Sequence, residues 1–502
     1  MGIRRRFPLT WRNHGLYNYF MLKTNDLQKF YGGKCVLDNL NLEFRTNKIY
    51  GILGRNGAGK TTLINIITNR AFATSGGCVI DGADACENDW AQNKVFCITE
   101  KSEYPYWMKV KESFKWAKLF YPSFDSDYAV QLSRKFDLDI NKRFKHLSTG
   151  YKTIAKVILT LASGAPVMIL DEPVLGIDAI YRKAFYDELL KLHKQRQNLV
   201  IIASHILDEI QEVASDIIIL KNGGVAYNGP VKAIESSSLQ DFYIKLHQFN
   251  DTVPDDKKPK GTKQKTGASK IDKQKFKTAA FFQIRTLYWS VIMITGVLLL
   301  NYLIGIILSA AGGEPGGSID IVTIVFMAIV GVQAHGYFFG YSIYNGTSRK
   351  TYFLATCTVL FGTGIILSVF TVFFLQLSVW NGESSITLFK LLYPHGGFAA
   401  MAVWVTAALV FLAALGWFVK VVYDILSKLW RIITIGCLTA VFMLCTLWHI
   451  LSPETSFFKG LGIIMGLEAT PSNAWAASVS FLILSGIFTA GTWFLMKRQE
   501  VK

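Results

Sequence analysis

Hydrophobic and polar positions follow two different rhythms along this chain. In the first half, short apolar runs at 49–53, 95–99, 167–170 and 201–203 each end at a glycine or at a polar or charged residue. Runs of this length, closed by such residues, predict buried strands. Helical spacing takes over at 63–67 and 153–161, and residues 22–44 suit strands joined by the turn Tyr31-Gly32-Gly33-Lys34. From about Trp289 onward the rhythm changes. Apolar runs there approach or exceed the ~20 residues that cross a bilayer core as a helix. They predict six spans, near 288–311, 319–344, 353–379, 397–419, 430–452 and 474–496. The expected fold class is an α/β domain followed by an all-α six-helix transmembrane domain.

Four regions follow from the same pattern. Residues 1–20 hold Arg4-Arg5-Arg6 and Phe7-Pro8-Leu9 but no apolar segment of signal-peptide length, so they read as an upstream extension, with a basic segment on the membrane surface as the alternative. Residues 21–250 form the mixed domain. Residues 251–277 hold nine lysines with few apolar groups and read as a solvated linker. Residues 278–502 form the membrane domain, opened by an amphipathic segment at 281–289 that is expected to lie on the inner leaflet.

Composition agrees with this division. A mean hydropathy of +0.29 is high for a soluble protein and comes from the second half. The net charge of +17 could point to nucleic acid, but cytoplasmic flanks of membrane helices carry excess Lys and Arg, and no nucleic-acid partner is expected. With the first domain inside, the inner loops and the 497–502 segment carry Arg349, Lys350, Lys420, Lys428, Arg431, Lys497, Arg498 and Lys502. The outer loops carry Lys390 and Lys459. The spans themselves hold almost no charge, which argues against ion coupling and suits a hydrophobic or amphipathic cargo. Their polar exceptions include Asn301, Gln333, His335 and Gln376. The seven cysteines form no C-x-x-C pair and read as reduced, packed thiols.

The chemistry concentrates in Gly54-Arg55-Asn56-Gly57-Ala58-Gly59-Lys60-Thr61-Thr62, which fits the phosphate-binding loop G-x-x-x-x-G-K-[ST]. A strand precedes it and a helix follows, as the mechanism requires. Glycines let backbone N–H groups converge at a helix N-terminus, where partial positive charge accumulates. Lys60 can reach the β- and γ-phosphates, and Thr61 can take a Mg²⁺ position. Farther on, the strand at 167–170 runs into Asp171-Glu172, and buried carboxylates are costly unless they meet a cation. Asp171 is the expected metal ligand and Glu172 the expected general base.

In this order the motifs resemble the ATP-binding cassette (ABC) ATPases. The resemblance is specific over residues 22–235 and looser over the membrane half. It implies the cassette type of P-loop NTPase fold, with ATP and Mg²⁺ as cofactors and ATP hydrolysis as the activity. Tyr31 matches the aromatic that stacks on adenine, although a tyrosine before Gly-Gly is also a common packing residue. Leu147-Ser148-Thr149-Gly150-Tyr151 resembles the signature L-S-G-G-Q. Ser148 and Gly150 match; Thr149 and Tyr151 depart. Asp178 sits where the family has its dimer-contacting loop, and His205 where it has the switch histidine, so His205 joins Glu172 as a catalytic candidate. Glu100 stands where the family places a metal-proximal glutamine, which puts coupling in doubt more than binding. The loop 344–352 resembles the first cytoplasmic loop of the ABC-2 exporter class.

What the resemblance implies is a half-size exporter in which each signature acts on nucleotide held by a partner: a second copy of the chain, or a paralogous half-transporter. Short cassettes of this kind resemble bacterial peptide and antibiotic exporters. The expected setting is therefore a bacterial plasma membrane, with the ATPase cytoplasmic and lipid around the spans. The expected cargo is an amphipathic peptide such as a bacteriocin or toxin, then a lipid or hydrophobic drug. A membrane sensor that spends ATP without moving cargo is the rival from another class.

Overall fold

Strands and helices of the first half alternate so that one sheet becomes almost entirely parallel. A computed structural model of the chain describes residues 20–100, 104–234, 238–248, 271–310, 319–380, 389, 392–393, 397–426 and 473–501. The strands are β1 (Phe20–Tyr31), β2 (Lys34–Arg45), β3 (Lys48–Leu53), β4 (Ser75–Ile80), β5 (Ala83–Asp84), β6 (Val95–Ile98), β7 (Val167–Asp171), β8 (Leu199–Ala203), β9 (Asp216–Lys221) and β10 (Gly224–Pro230). β1 and β2 form the expected hairpin, turning through Gly32 and Gly33 at φ 54° and 87°, a left-handed pair that glycine adopts without strain. They join β4 and β5 in a small sheet of order β2-β1-β4-β5.

The larger sheet has the order β10-β9-β3-β8-β7-β6, with β9, β3, β8, β7 and β6 mutually parallel and β10 antiparallel at the edge. β6, β7 and β8 are buried at every position, which is why the sequence shows continuous apolar runs there rather than alternation. The helices of this half are α1 (Lys60–Ile67), α2 (Asp89–Gln92), α3 (Val110–Phe120), α4 (Ser126–Lys135), α5 (Thr149–Ala162), α6 (Ala179–Arg196), α7 (Leu207–Val213) and α8 (Leu239–Gln248). The aromatics expected at 104–128 divide in two. Phe114, Trp116, Phe120, Tyr121 and Phe124 are core, whereas Tyr106 is exposed.

The chain divides into two compact units. The first comprises residues up to Asp272 together with Ile343–Ser348 and Glu500–Lys502. The two short segments therefore cluster with the first half although they lie far along the chain. Within this unit the Ser348 N–H donates to the buried Asp89 carboxylate at 2.6 Å, and the Arg70 guanidinium lies 4.3 Å from the centre of the Tyr344 ring.

The second unit comprises Lys273–Ser342 and Arg349–Gln499. Its helices are α9 (Lys273–Ala310), α10 (Ile319–Gln333), α11 (Tyr337–Tyr344), α12 (Arg349–Trp380), α13 (Phe398–Ile425) and α14 (Ala474–Met496). Four helical segments among the described residues are long and apolar enough to cross a membrane: Val322–Tyr344, Arg349–Leu377, Phe398–Ile425 and Ala474–Met496. They correspond to the second, third, fourth and sixth expected spans. Residues 288–310 of the first expected span lie in α9, a single helix that also holds the amphipathic segment 281–289. The fifth span, nearly all of the 1–20 extension and most of the linker lie outside the described residues. Among those described, Cys35, Cys78, Cys86, Cys97 and Cys357 are free thiols.

Small residues set the closest helix approach in this unit. A Cβ on Gly331 of α10 would lie 2.2 Å from the Ala413 carbonyl oxygen of α13, and one on Gly416 of α13 would lie 2.3 Å from the Ala328 carbonyl oxygen of α10. The two backbones therefore touch, as small residues allow between membrane helices. His335, expected as a polar exception, is buried in the break between α10 and α11, with its Nε2 3.1 Å from the Gln499 side-chain oxygen. Gly416→Leu should force α10 and α13 apart at a cost of about 1–3 kcal/mol. A thermal-unfolding midpoint of detergent-solubilised protein lower by several degrees than wild type would show it; an unchanged midpoint would refute the close contact.

Candidate functional site

The phosphate loop and the candidate catalytic side chains lie at the carboxyl ends of the large sheet's parallel strands. β3 leads into the phosphate loop, β7 ends at Asp171, and β8 leads into Ser204 and His205. The register places Asp171 directly opposite Ala203, one residue before Ser204. Gly59 caps α1 at φ 104°, and a Cβ there would meet the Val36 carbonyl at 2.9 Å and the Leu37 side chain at 2.5 Å, so only glycine fits. Gly57 also sits in the left-handed region, at φ 85°.

Lys60 is 7% exposed and donates to the Gly54 carbonyl at 2.5 Å. Burial pushes its pKa down, while the Glu172 and Asp171 carboxylates pull the other way. The Thr61 hydroxyl donates to Asp171 Oδ2 at 3.1 Å. Asp171 is 5% exposed, and burial, aided by the neighbouring Glu172 charge, pushes its carboxyl up to about 6. The Thr61 hydrogen bond and the Lys60 and Arg70 charges act against that rise.

Glu172 adopts φ 52°, a left-handed conformation unusual for a residue with a side chain. Its N–H donates to the Ala203 carbonyl at 2.8 Å, and its Oε2 lies 2.8 Å from His205 Nδ1. The Ser204 hydroxyl lies 3.5 Å from the same oxygen and accepts the Ile206 N–H at 3.1 Å. Lys60, Thr61, Asp171, Glu172 and His205 are thus gathered at one place.

Ser148, Gly150 and Asp178 form a second group. Ser148 caps α5 by accepting the Tyr151 N–H at 3.3 Å, and Asp178 caps α6 by accepting the Ile180 and Tyr181 N–H groups, each at 3.0 Å. A Cβ on Gly150 would lie 2.6 Å from the Gly176 carbonyl oxygen, so this glycine is required by the loop packed against it. Thr149 makes no such demand; it is exposed. Its carbonyl accepts the Thr153 hydroxyl at 3.1 Å, and that hydroxyl also donates to the Leu175 carbonyl at 3.0 Å. Ser148, Tyr151, Arg134, Lys142 and His146 border a concavity of about 400 Å³ that also includes Asp137 and Asp139.

Glu100 is exposed, and its main-chain carbonyl accepts Lys156 Nζ at 2.8 Å; the same ammonium reaches the Thr99 carbonyl at 3.2 Å. Tyr31 is 44% exposed, and Lys29, which is paired with Glu500, places its Nζ 4.4 Å from the centre of the Tyr31 ring. Lys156, Ser204 and Glu500 were not singled out from the sequence. Ser204 could have been, since it borders the histidine. Lys156 and Glu500 act across the fold and leave no local signal.

A phosphate loop, a Thr–Asp pair and a Glu–His pair at the ends of a buried parallel sheet define a P-loop nucleotide-binding cassette. A family model described as "ABC transporter" matches residues 37–175. Curated relatives agree. The chain is 28% identical to the ABC transporter ATP-binding protein YtrB of Bacillus subtilis (strain 168), over 46% of this chain and 78% of that protein. It is 30% identical to an uncharacterized ABC transporter ATP-binding protein, YcbN, of the same strain, over 46% and 76%. It is also 30% identical to the bacitracin transport ATP-binding protein BcrA of Enterococcus faecalis, over 41% and 67%. The chain belongs to the ABC transporter family and carries its ATP-hydrolysing cassette, followed by a helical region in which four segments among the described residues are long and apolar enough to span a membrane.

Charge compensation at Asp171 has a consequence for stability. A carboxyl whose pKa is raised by folding stabilises the fold below its unfolded pKa, near 4, and that contribution is lost as pH rises through about 6. At pH 7.5 in EDTA, Asp171→Asn should therefore raise the unfolding midpoint, by roughly 2–4 °C. A midpoint lowered by the substitution would show that the carboxylate is well compensated by its protein neighbours.

Proposed function

We propose that the chain is an ABC half-exporter, with residues 21–250 as the ATPase, 251–277 as a basic linker and 278–502 as the membrane domain. It works as a two-fold homodimer, or with a paralogous half, in a bacterial plasma membrane with the ATPase on the cytoplasmic side. The observation that carries this reading is the Thr61–Asp171 and Glu172–His205 pairing in a chain that also holds apolar helices of spanning length.

The donor set fits Mg²⁺-ATP. A hydroxyl and a carboxylate converge at Thr61 and Asp171, and few hard oxygen donors suit a cation that keeps waters and takes phosphate oxygens. Gly54, Asn56, Gly57, Ala58, Gly59, Lys60, Thr61 and Thr62 surround the phosphates. Tyr31 would stack on adenine, and Thr61, Asp171 and Glu100 would hold the cation. When bound, Mg²⁺ neutralises charge developing on the transferred phosphoryl group. Glu172 takes a proton from the attacking water, and His205 holds the Glu172 carboxylate in place. Lys156 fixes the backbone that presents Glu100.

Ser148 and Gly150 stand at the exposed N-terminus of α5, where a helix favours an anion. In the dimer this end meets the γ-phosphate held by the partner copy, and Asp178 lines the same seam. An isologous two-fold contact then closes both sites together. ATP drives the cycle only to the extent that it binds the closed dimer better than the open one. An amphipathic peptide is the cargo best supported, because the expected spans are nearly free of charge and a relative bears the name of a bacitracin transport protein.

Glu172→Gln should lower ATP turnover by more than roughly a hundredfold while ATP binding is retained; wild-type turnover in that variant would sink the base assignment. In proteoliposomes, a cationic amphipathic peptide should both stimulate the ATPase and accumulate in the compartment away from ATP. Stimulation without movement would favour a sensing role over export.

A further inference from the structure

Glu172 Oε2 and His205 Nδ1 lie 2.8 Å apart, yet the two residues leave the sheet on different strands and lead into different helices. Beyond β7 the chain runs through residues 172–178 into α6. Beyond β8 it runs through Ser204, His205 and Ile206 into α7. The ladder between the two strands ends at the Asp171–Ala203 pair, where the Glu172 N–H donates to the Ala203 carbonyl. The His205 side chain is 59% exposed, so packing does little to hold it.

The two helices are anchored differently. A Cβ on Gly51 of β3 would lie 2.3 Å from the Ile210 methyl carbon Cγ2, so α7 rests directly on the strand backbone. In the first turn of α6, Ala179 and Ile180 are exposed, and apolar burial begins at Phe185. Polar contacts tie that turn down. Arg182 Nη1 donates to Glu209 Oε1 of α7 at 2.8 Å, and Arg182 Nη2 donates to the Ile177 carbonyl at 3.2 Å. Tyr186, four residues on and on the same face of α6, donates its hydroxyl to Glu209 Oε2 at 2.9 Å. Both oxygens of one carboxylate thus hold α6. The Glu209 side chain is 15% exposed and that of Arg182 33%, so the pair is better shielded than an ordinary surface ion pair.

We infer that Glu209 is a positioning residue for ATP hydrolysis: by clamping Arg182 and Tyr186 it fixes loop 172–178 against the chain that carries His205, and so keeps the imidazole on the Glu172 carboxylate. The inference rests on the reading of Glu172 and His205 as catalytic. Glu209 acts through these two elements rather than on the nucleotide. A misplacement of about 1 Å in a reacting group can cost roughly a hundredfold in rate, while the contacts that bind substrate stay intact.

The test uses the full chain in nanodiscs, with KM for ATP and kcat measured separately and slow variants followed over hours. Glu209→Gln keeps the size of the side chain but removes its charge. It should lower kcat roughly three- to tenfold while KM stays within about twofold. The same substitution is then made in a His205→Ala background. There Glu209 has no imidazole to position, so Glu209→Gln should change kcat by less than about twofold. A merely structural role would lower kcat by the same factor in both backgrounds, and that result overturns the inference. A wild-type kcat in Glu209→Gln, or a change confined to KM, overturns it as well. Should Glu209→Gln fail to fold, Arg182→Gln breaks the same pair from the other side and is read in both backgrounds by the same criteria. His205→Ala alone separates the two levels. If it leaves kcat unchanged, the catalytic reading of His205 has failed; if it lowers kcat while Glu209→Gln and Arg182→Gln do not, only the role of Glu209 has.

Discussion

A parallel sheet buried on both faces can place charge only where its strands end, and the first half of this chain is built around that restriction. β6, β7 and β8 expose none of their residues, so every group with chemistry is displaced to the carboxyl edge. There the register does the assembly. Ile52 and Asp171 are both paired with Ala203, so the residues that follow β3, β7 and β8 emerge side by side. Two carboxylates, a lysine, a threonine and a histidine then share a small volume. The Lys60 charge and the Thr61 hydroxyl offset part of the burial cost of Asp171, while the Glu172 carboxylate adds to it.

That arrangement also decides what could be read from the sequence. The phosphate loop, Asp171-Glu172 and Ser204-His205 each follow an apolar run directly, so the run and the polar residues after it form one contiguous signal. The hairpin turn at Gly32-Gly33 was legible for a similar reason, because two consecutive left-handed residues leave glycine with little competition. Lys156 carries no such signal, since its partners are main-chain carbonyls on another element and any lysine on that face of α5 would look the same. The left-handed conformation of Glu172 is likewise silent, because the sequence there shows only a polar residue before proline. In the second half, apolar runs disclose helices but not their partners. The amphipathic segment at 281–289 and the apolar run after it share one continuous helix, α9, which the change in composition between them does not disclose.

The departures from the family pattern sort by packing. Gly150 faces the Gly176 carbonyl too closely to accept a side chain, and it is kept. Thr149 is exposed, and even a Cβ added at Gly176 would stay 3.6 Å from its methyl, so a threonine fits where the family places a glycine. Tyr151 supplies the N–H that Ser148 accepts, a backbone role that any residue but proline can fill. The parts of the signature that have changed are those whose side chains the surrounding fold does not constrain.

Gly331 and Gly416 approach each other's helices so closely that the α10 and α13 backbones interlock. Two rods notched in this way cannot screw or slip past one another without first lifting apart, and lifting apart would leave both notches empty in a medium with no water to fill them. The pair therefore translates as one plank. Whatever bending this half of the molecule undergoes must be absorbed outside that joint, and the interruption at residues 334–336, where Gly336 already adopts φ 73°, is the one place along this stretch where the helical ladder is cut.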